Sequence, residues 1–246
     1  MLRKSPIQVI DKAVTLLRII SDLKQGASAL ELSKLSGLDR TTVHRILKSL
    51  IVWDLVIHED GMFKSGPESL FYSTRYLNRL NIRRVALPFM VEIQKLLTDK
   101  QAVISLSIPV REHVVLIERI WTQLTPLNVL MDLSDQYPIE KIPSGLAMLA
   151  TFTPEQCLNI LDDKRYKDIE PRLLQIRAAQ GFCIGANEQR LGLSSVAYPV
   201  INLRGEGVGA LVIAGLDAEH ELSLNSPLAG HLKRACENIS GQLNYL

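Results

Sequence analysis

Apolar positions in the first quarter of the chain recur at helical spacing. Ala13, Leu16, Leu17, Ile20 and Leu23 fall on one helix face, and Gly26 is placed to end that helix. Ser28-Ala29-Leu30-Glu31 has the form of a capping box, in which hydroxyl and carboxylate satisfy each other's free amides, and predicts a short helix carrying Leu30, Leu32 and Leu35. After the turn Ser36-Gly37-Leu38, Asp39 caps a third helix over 40–50, with Val43, Ile46, Leu47 and Leu50 in a single apolar stripe. Two short extended runs, 55–58 and 62–64, meet at Glu59-Asp60-Gly61 and read as a hairpin closed by Gly66-Pro67.

Further along, the texture changes twice. Residues 68–84 are helix-compatible, with Arg75, Arg79, Arg83 and Arg84 among Leu70, Phe71, Leu77, Leu80 and Ile82, and read as a connecting helix. Beyond residue 97, β-branched runs at 102–108, 114–120, 195–202 and 208–214 predict strands. Helical patterns at 146–150, 154–161, 172–180 and 228–243 interrupt them. The chain is thus expected to be α+β, with a winged helix-turn-helix over 7–67, a linker helix over 68–84 and a larger domain over 85–246.

The third helix carries the informative polar face. Thr41, His44, Arg45 and Lys48 project away from the stripe, Arg40 and Thr42 flank them, and no acid lies between 40 and 50. Hydroxyls, an imidazole and guanidinium groups on a helix that packs through its other face suit the major groove, which displays acceptors on guanine. A polar helix face is by itself commonly solvated surface; the tight turn before it and the hairpin after it favour the DNA reading. Charge agrees once the chain is divided. Residues 1–84 hold 14 Lys/Arg against 8 Asp/Glu, and the remainder 14 against 18, although the whole chain is only +2. The candidate DNA contacts are Ser28, Arg40, Thr41, Thr42, His44, Arg45 and Lys48, with His58 and Lys64 on the hairpin.

Other classes find little support. No run approaches the roughly 20 apolar residues that span a bilayer, and the opening residues do not form a signal peptide, so a soluble cytoplasmic protein without a membrane partner is expected. Cys157, Cys183 and Cys236 are odd in number and far apart, which suggests buried small hydrophobes rather than disulfides. His44, His58, His113, His220 and His231 have no ligand spacing, so neither metal nor cofactor is expected. Gly205-Glu206-Gly207-Val208-Gly209-Ala210 has the letters of a dinucleotide fingerprint but continues as strand, and reads as a hairpin turn. Gly192-Leu193-Ser194-Ser195-Val196 lacks the second glycine of a nucleophile elbow, so the chain is not expected to be an enzyme. The alternatives to a DNA-binding regulator are an adaptor whose winged helix binds protein, and an enzyme without DNA binding.

The run from Gly37 through Arg45 to Leu47, followed by Gly61-Met62-Phe63-Lys64-Ser65-Gly66-Pro67, resembles the DNA-binding domain of the IclR family of bacterial transcription regulators. Arg83-Arg84-Val85-Ala86-Leu87-Pro88, Gly145-Leu146-Ala147-Met148-Leu149-Ala150, and Glu188 to Gly192 leading into Ser195-Val196-Ala197-Tyr198-Pro199-Val200 continue the resemblance in family order. It implies a GAF-like antiparallel sheet enclosing an effector pocket, dimerisation through heads and linker, a palindromic operator and a dimer of dimers. It also implies an effector site at Pro143, Ser144, Gly145, Met148, Gly185, Ser195, Val212 and Ala214. Relatives that bind small oxo-acids commonly carry Gly-Ala, an Asp, a Cys and two Ser at such positions, most of which are replaced here. The expected effector is therefore a larger, less polar organic acid, such as an aromatic one, held by Ser144, Ser195 and the amides opening the Gly145 helix. The Ser144-Gly145 and Thr41-Thr42 pairs are similar to the branch that activates aromatic-acid catabolism. Whether the protein represses or activates is open.

Overall fold

The structure, a computed structural model, describes residues 6–125, 136–186, 193–216, 223 and 225–245. The resemblance segment from Glu188 to Gly192, and His220, lie outside the described residues. The chain divides into two compact units, one ending at Arg79 and one starting at Leu80.

In the first unit, α1 (Gln8–Asp22), α2 (Ala29–Ser36) and α3 (Arg40–Val52) precede β1 (Val56–Glu59) and β2 (Met62–Ser65). Leu16, Ile20, Leu32, Val43, Leu47, Val56 and Phe63 form its core. Each fully buried aliphatic side chain contributes about 1.5–3 kcal/mol, so the stripes are what hold three short helices together. The hairpin turns on Asp60 and Gly61, at φ +50° and +77°; two successive positive values make the tight turn whose twist matches the strands, and Gly61 adopts it without steric penalty. Backbone bonds between Ala27 and Phe63 in both directions (2.8 and 3.0 Å) tie the wing to the segment before α2.

The connection expected as one helix is two: α4 (Glu68–Arg79) and α5 (Asn81–Lys95), separated at Leu80. The cause is packing. No residue of α4 is buried, whereas Ile82, Ala86, Met90 and Ile93 of α5 enter the core of the second unit, whose boundary is thus Leu80 rather than 85. The helix also continues past Pro88, because that ring faces solvent and water can satisfy the carbonyl it leaves without a donor.

The second unit is a six-stranded antiparallel sheet in the order β5-β4-β3-β8-β7-β6. Its strands are β3 (Ala102–Val110), β4 (His113–Trp121), β5 (Gln136–Pro138), β6 (Cys183–Ala186), β7 (Leu193–Ile201) and β8 (Gly207–Leu216). One face, through Ile104, Leu106, Val196, Leu211 and Ile213, packs with α5 and the C-terminal α9 (Pro227–Leu243). The other packs with α6 (Pro143–Leu149), α7 (Pro154–Leu158) and α8 (Asp163–Ala178). This is the expected α+β class with an antiparallel sheet. The expected hairpin at Gly205 joins β7 to β8, with Asn202 Oδ1 accepting from the amides of Arg204 (2.9 Å) and Glu206 (3.0 Å). No helix among the described residues is long and apolar enough to cross a membrane.

Candidate functional site

Two surfaces collect the residues singled out in the sequence. The first is α3. Asp39 caps it as expected, its carboxylate accepting from the Thr42 amide (2.9 Å) and hydroxyl (2.7 Å). Those bonds, the hydroxyl's first, hold the Asp39 carboxyl below the usual carboxylate range. Val43, Ile46, Leu47 and Leu50 are buried, and Arg40, Thr41, His44, Arg45 and Lys48 are exposed on the helix's other side.

The remaining candidates of this surface are engaged within the molecule. Thr42 is half-buried in the cap. The Ser28 hydroxyl donates to Glu31 Oε2 (2.8 Å) and accepts from the Glu31 amide (3.3 Å), completing the capping box that opens α2. Hydrogen bonds from the Ser28 amide and then its hydroxyl lower the Glu31 pKa. On the wing, the His58 ring stacks on Phe63 at 4.2 Å, and Lys64 Nζ lies 3.2 Å from Glu59 Oε2. An exposed pair of this kind is weak enough for a phosphate to displace.

The second surface is a cleft on the sheet face that α6 covers, with about 480 Å³ of atom-free space counting its open mouth. Strand register explains its floor. Arg119 of β4 pairs with Ser105 of β3, which pairs with Val212 of β8; Val103 pairs with Ala214, which pairs with Ser195 of β7. Residues directly opposite across strands share a face, so these six side chains form a contiguous patch, all of them lining the cleft. Ser107, Leu116, Tyr137, Ile142, Pro143 and Ser144 complete it, the Ser107 hydroxyl donating to the carbonyl of Ala210 (3.3 Å).

Five of the eight expected effector residues line this cleft: Pro143, Ser144, Ser195, Val212 and Ala214. The other three are not among its lining residues. Gly185 pairs with Ser195 from the outer strand β6. Gly145 packs against the backbone of Ile139, and Met148 is buried against Gly207. Helix α6 starts at Pro143, three residues before the expected Leu146, so its first residue has no amide to offer. Sequence reasoning missed Ser105, Ser107, Arg119 and Tyr137, which make the cleft more polar than expected. For the two serines the signal was present: in 103–108 they alternate with Ile104, Leu106 and Ile108, the pattern of a strand with one hydroxyl-bearing face.

Comparison with known proteins matches both parts of the chain to one family. The model of the IclR helix-turn-helix domain matches residues 9–59, and that of the bacterial transcriptional regulator IclR C-terminal domain matches 74–241. The chain belongs to the IclR family. Its members' organisation, a helix-turn-helix DNA-binding domain followed by an effector-binding domain, is that of this chain, which is a transcriptional regulator of IclR type. The HTH-type transcriptional regulator XynR of Escherichia coli (strain K12) is 22% identical over 97% of this chain and 98% of its own length. The crystal structure of an IclR family regulator from Brucella abortus has the same fold, with TM-score 0.79 and 20% identity over 96% of this chain and 92% of that one. An IclR homolog from Microbacterium hydrocarbonoxydans, solved in complex with 4-hydroxybenzoate, has TM-score 0.69 and 18% identity over 96% and 98% of the two chains. The curated relatives it matches are transcriptional regulators, which are not enzymes.

Proposed function

We propose that this IclR regulator reads its operator with the exposed face of α3, and that its cleft holds a small organic acid that modulates the reading. The single observation that carries the first part is the exposure of Arg40, Thr41, His44, Arg45 and Lys48 on one side of a helix whose other side is core. Arg40 and Arg45 present planar donor forks suited to guanine edges. Thr41, Thr42, His44 and Lys48 contact bases or phosphates beside them. Ser28, at the opening of α2, and His58 and Lys64 of the wing contact the backbone.

The DNA-bound unit is a homodimer on a palindromic operator, assembling further as a dimer of dimers. Exposed Ile7, Val9 and Ile10 of the α1 segment and Leu70, Phe71, Tyr72 and Tyr76 of α4 support self-association, since large apolar side chains gathered on a surface mark an interface. The effector is a carboxylic acid with an aromatic or comparably bulky body, bound in the cleft lined by Pro143, Ser144, Ser195, Val212 and Ala214, with Gly145, Met148 and Gly185 shaping it from behind. The cleft's apolar walls and the 4-hydroxybenzoate complex of a homolog support this class. Such a regulator works in the cytoplasm, where its operator is.

Gel-shift titration of duplex DNA at rising salt tests the DNA reading. Affinity should fall steeply, about 10³–10⁵-fold between 50 and 200 mM salt for six to ten phosphate contacts. Affinity that ignores salt, or no binding to any duplex at low salt, would contradict it.

A further inference from the structure

The cleft has a charged end. Among its described lining residues, Arg119 alone carries a formal charge, and the rest are aliphatic, hydroxyl-bearing or, for Tyr137, aromatic. We propose that Arg119 is the specificity-determining residue that seats the effector's carboxylate, so that the cleft selects acids over neutral molecules of the same shape. This rests on reading the cleft as the effector site.

Register, burial and chemistry converge on this residue. Arg119 stands on β4 directly opposite Ser105, so a guanidinium and a hydroxyl share one end of the sheet floor. Its Nε is buried and the residue as a whole is half-buried, so its charge is partly withdrawn from water. A cation in that position gains more from an anion than one in solvent does. The guanidinium fork matches a carboxylate with two parallel hydrogen bonds, and its five donors allow that pair alongside a polar contact made elsewhere. Away from this end, Val103, Val212, Ala214 and Ile142 offer no polar group to a ligand. One charged end, and a remainder that mixes aliphatic walls with hydroxyls but carries no charge among the described residues, fit a monocarboxylate with an uncharged body.

The assignment moves the carboxylate from where the sequence placed it. Helix α6 is seven residues long and begins with proline, which makes its first turn a poor anion seat. The β3–β4 side of the floor takes that role.

The test is calorimetric titration of the full-length protein with benzoate, 4-hydroxybenzoate and phenylacetate, each beside its carboxamide. The wild type should bind acids at least about tenfold more tightly than amides, the scale of a charge-assisted bidentate contact. Arg119→Gln should abolish that preference. Arg119→Lys, which keeps the charge but loses the fork, should fall between and serves if the glutamine variant does not fold. A folded Arg119→Gln or Arg119→Lys protein with the wild-type acid preference would overturn the proposal and leave the effector site in place. Equal wild-type binding of acids and amides would do the same. A wild type that binds none of the acids would overturn the acid-effector reading itself, and this proposal with it.

Discussion

Two glycine-to-alanine substitutions in helices should have opposite signs, and the structure gives the reason for each. At Gly145 in α6, an added Cβ would overlap the carbonyl oxygen of Ile139 and sit 2.7 Å from its carbonyl carbon and 3.0 Å from its Cα. Ordinary carbon contacts are about 3.5–4.0 Å, and these neighbours are backbone, which cannot rotate away as a side chain can. The helix and the 3₁₀ turn over Ile139–Lys141 must separate by an appreciable fraction of an ångström, at a cost of about 1–3 kcal/mol or more. For a domain of this size that lowers the melting temperature by about 2–12 °C, at roughly 2–4 °C per kcal/mol. The same shift moves Tyr137, Ile142, Pro143 and Ser144 and should weaken effector binding. At Gly230 in α9, a Cβ would meet nothing within 4 Å, and Ala should stabilise by about 0.4–1 kcal/mol through the unfolded chain's lost freedom. Differential scanning calorimetry of both variants beside the wild type measures the pair. A Gly145→Ala protein melting at or above the wild type would refute the packing argument.

Other expectations follow from single contacts. Lys64→Ala should weaken binding to all duplexes alike and flatten the salt dependence by about one phosphate contact, as read by fluorescence anisotropy. Burial is the largest influence on the Glu140 carboxyl and raises it, but the hydrogen bonds from Arg165 (2.9 and 2.7 Å), a backbone hydrogen bond and the charges of Arg165 and Lys141 together hold it below the ordinary range. The stabilisation is therefore full above about pH 4.3, the usual glutamate value, and is lost as pH falls through the lowered one. Acid unfolding of Glu140→Gln should show a smaller dependence there than the wild type. Cys157, Cys183 and Cys236 are all buried, and burial pushes the Cys157 and Cys236 thiols up, with Arg177 offsetting part of it at Cys157. A disulfide reagent should consume no thiol in the native protein and three after denaturation.

Much of this was legible in the sequence, for physical reasons that also mark where legibility stopped. The three helices and the wing were readable because each apolar stripe is bounded by a side-chain cap or a turn residue, and Ser28, Asp39 and Gly61 act locally. The break at Leu80 was not, since both sides of it are helical in pattern and only the burial of Ile82 and Ala86 separates them. Pro171 hid the first half of α8, which begins at Asp163; the ring faces solvent, so the helix runs through it. The edge strands β5 and β6, of three and four residues, are too short for a period to show. For the cleft, Ser144, Ser195, Val212 and Ala214 were found through family resemblance. Arg119 was not, because its place depends on cross-strand register, which no local pattern specifies.

The central claim is that α3 presents a base-reading surface, and selection from a random duplex pool tests it most directly when run with the wild type and with Arg40→Ala and Arg45→Ala. The wild type should enrich a two-fold symmetric site. Each variant should lose about 1–3 kcal/mol on it and relax preference at one position per half-site. Identical motifs and affinities from all three proteins would show that some other surface reads the DNA.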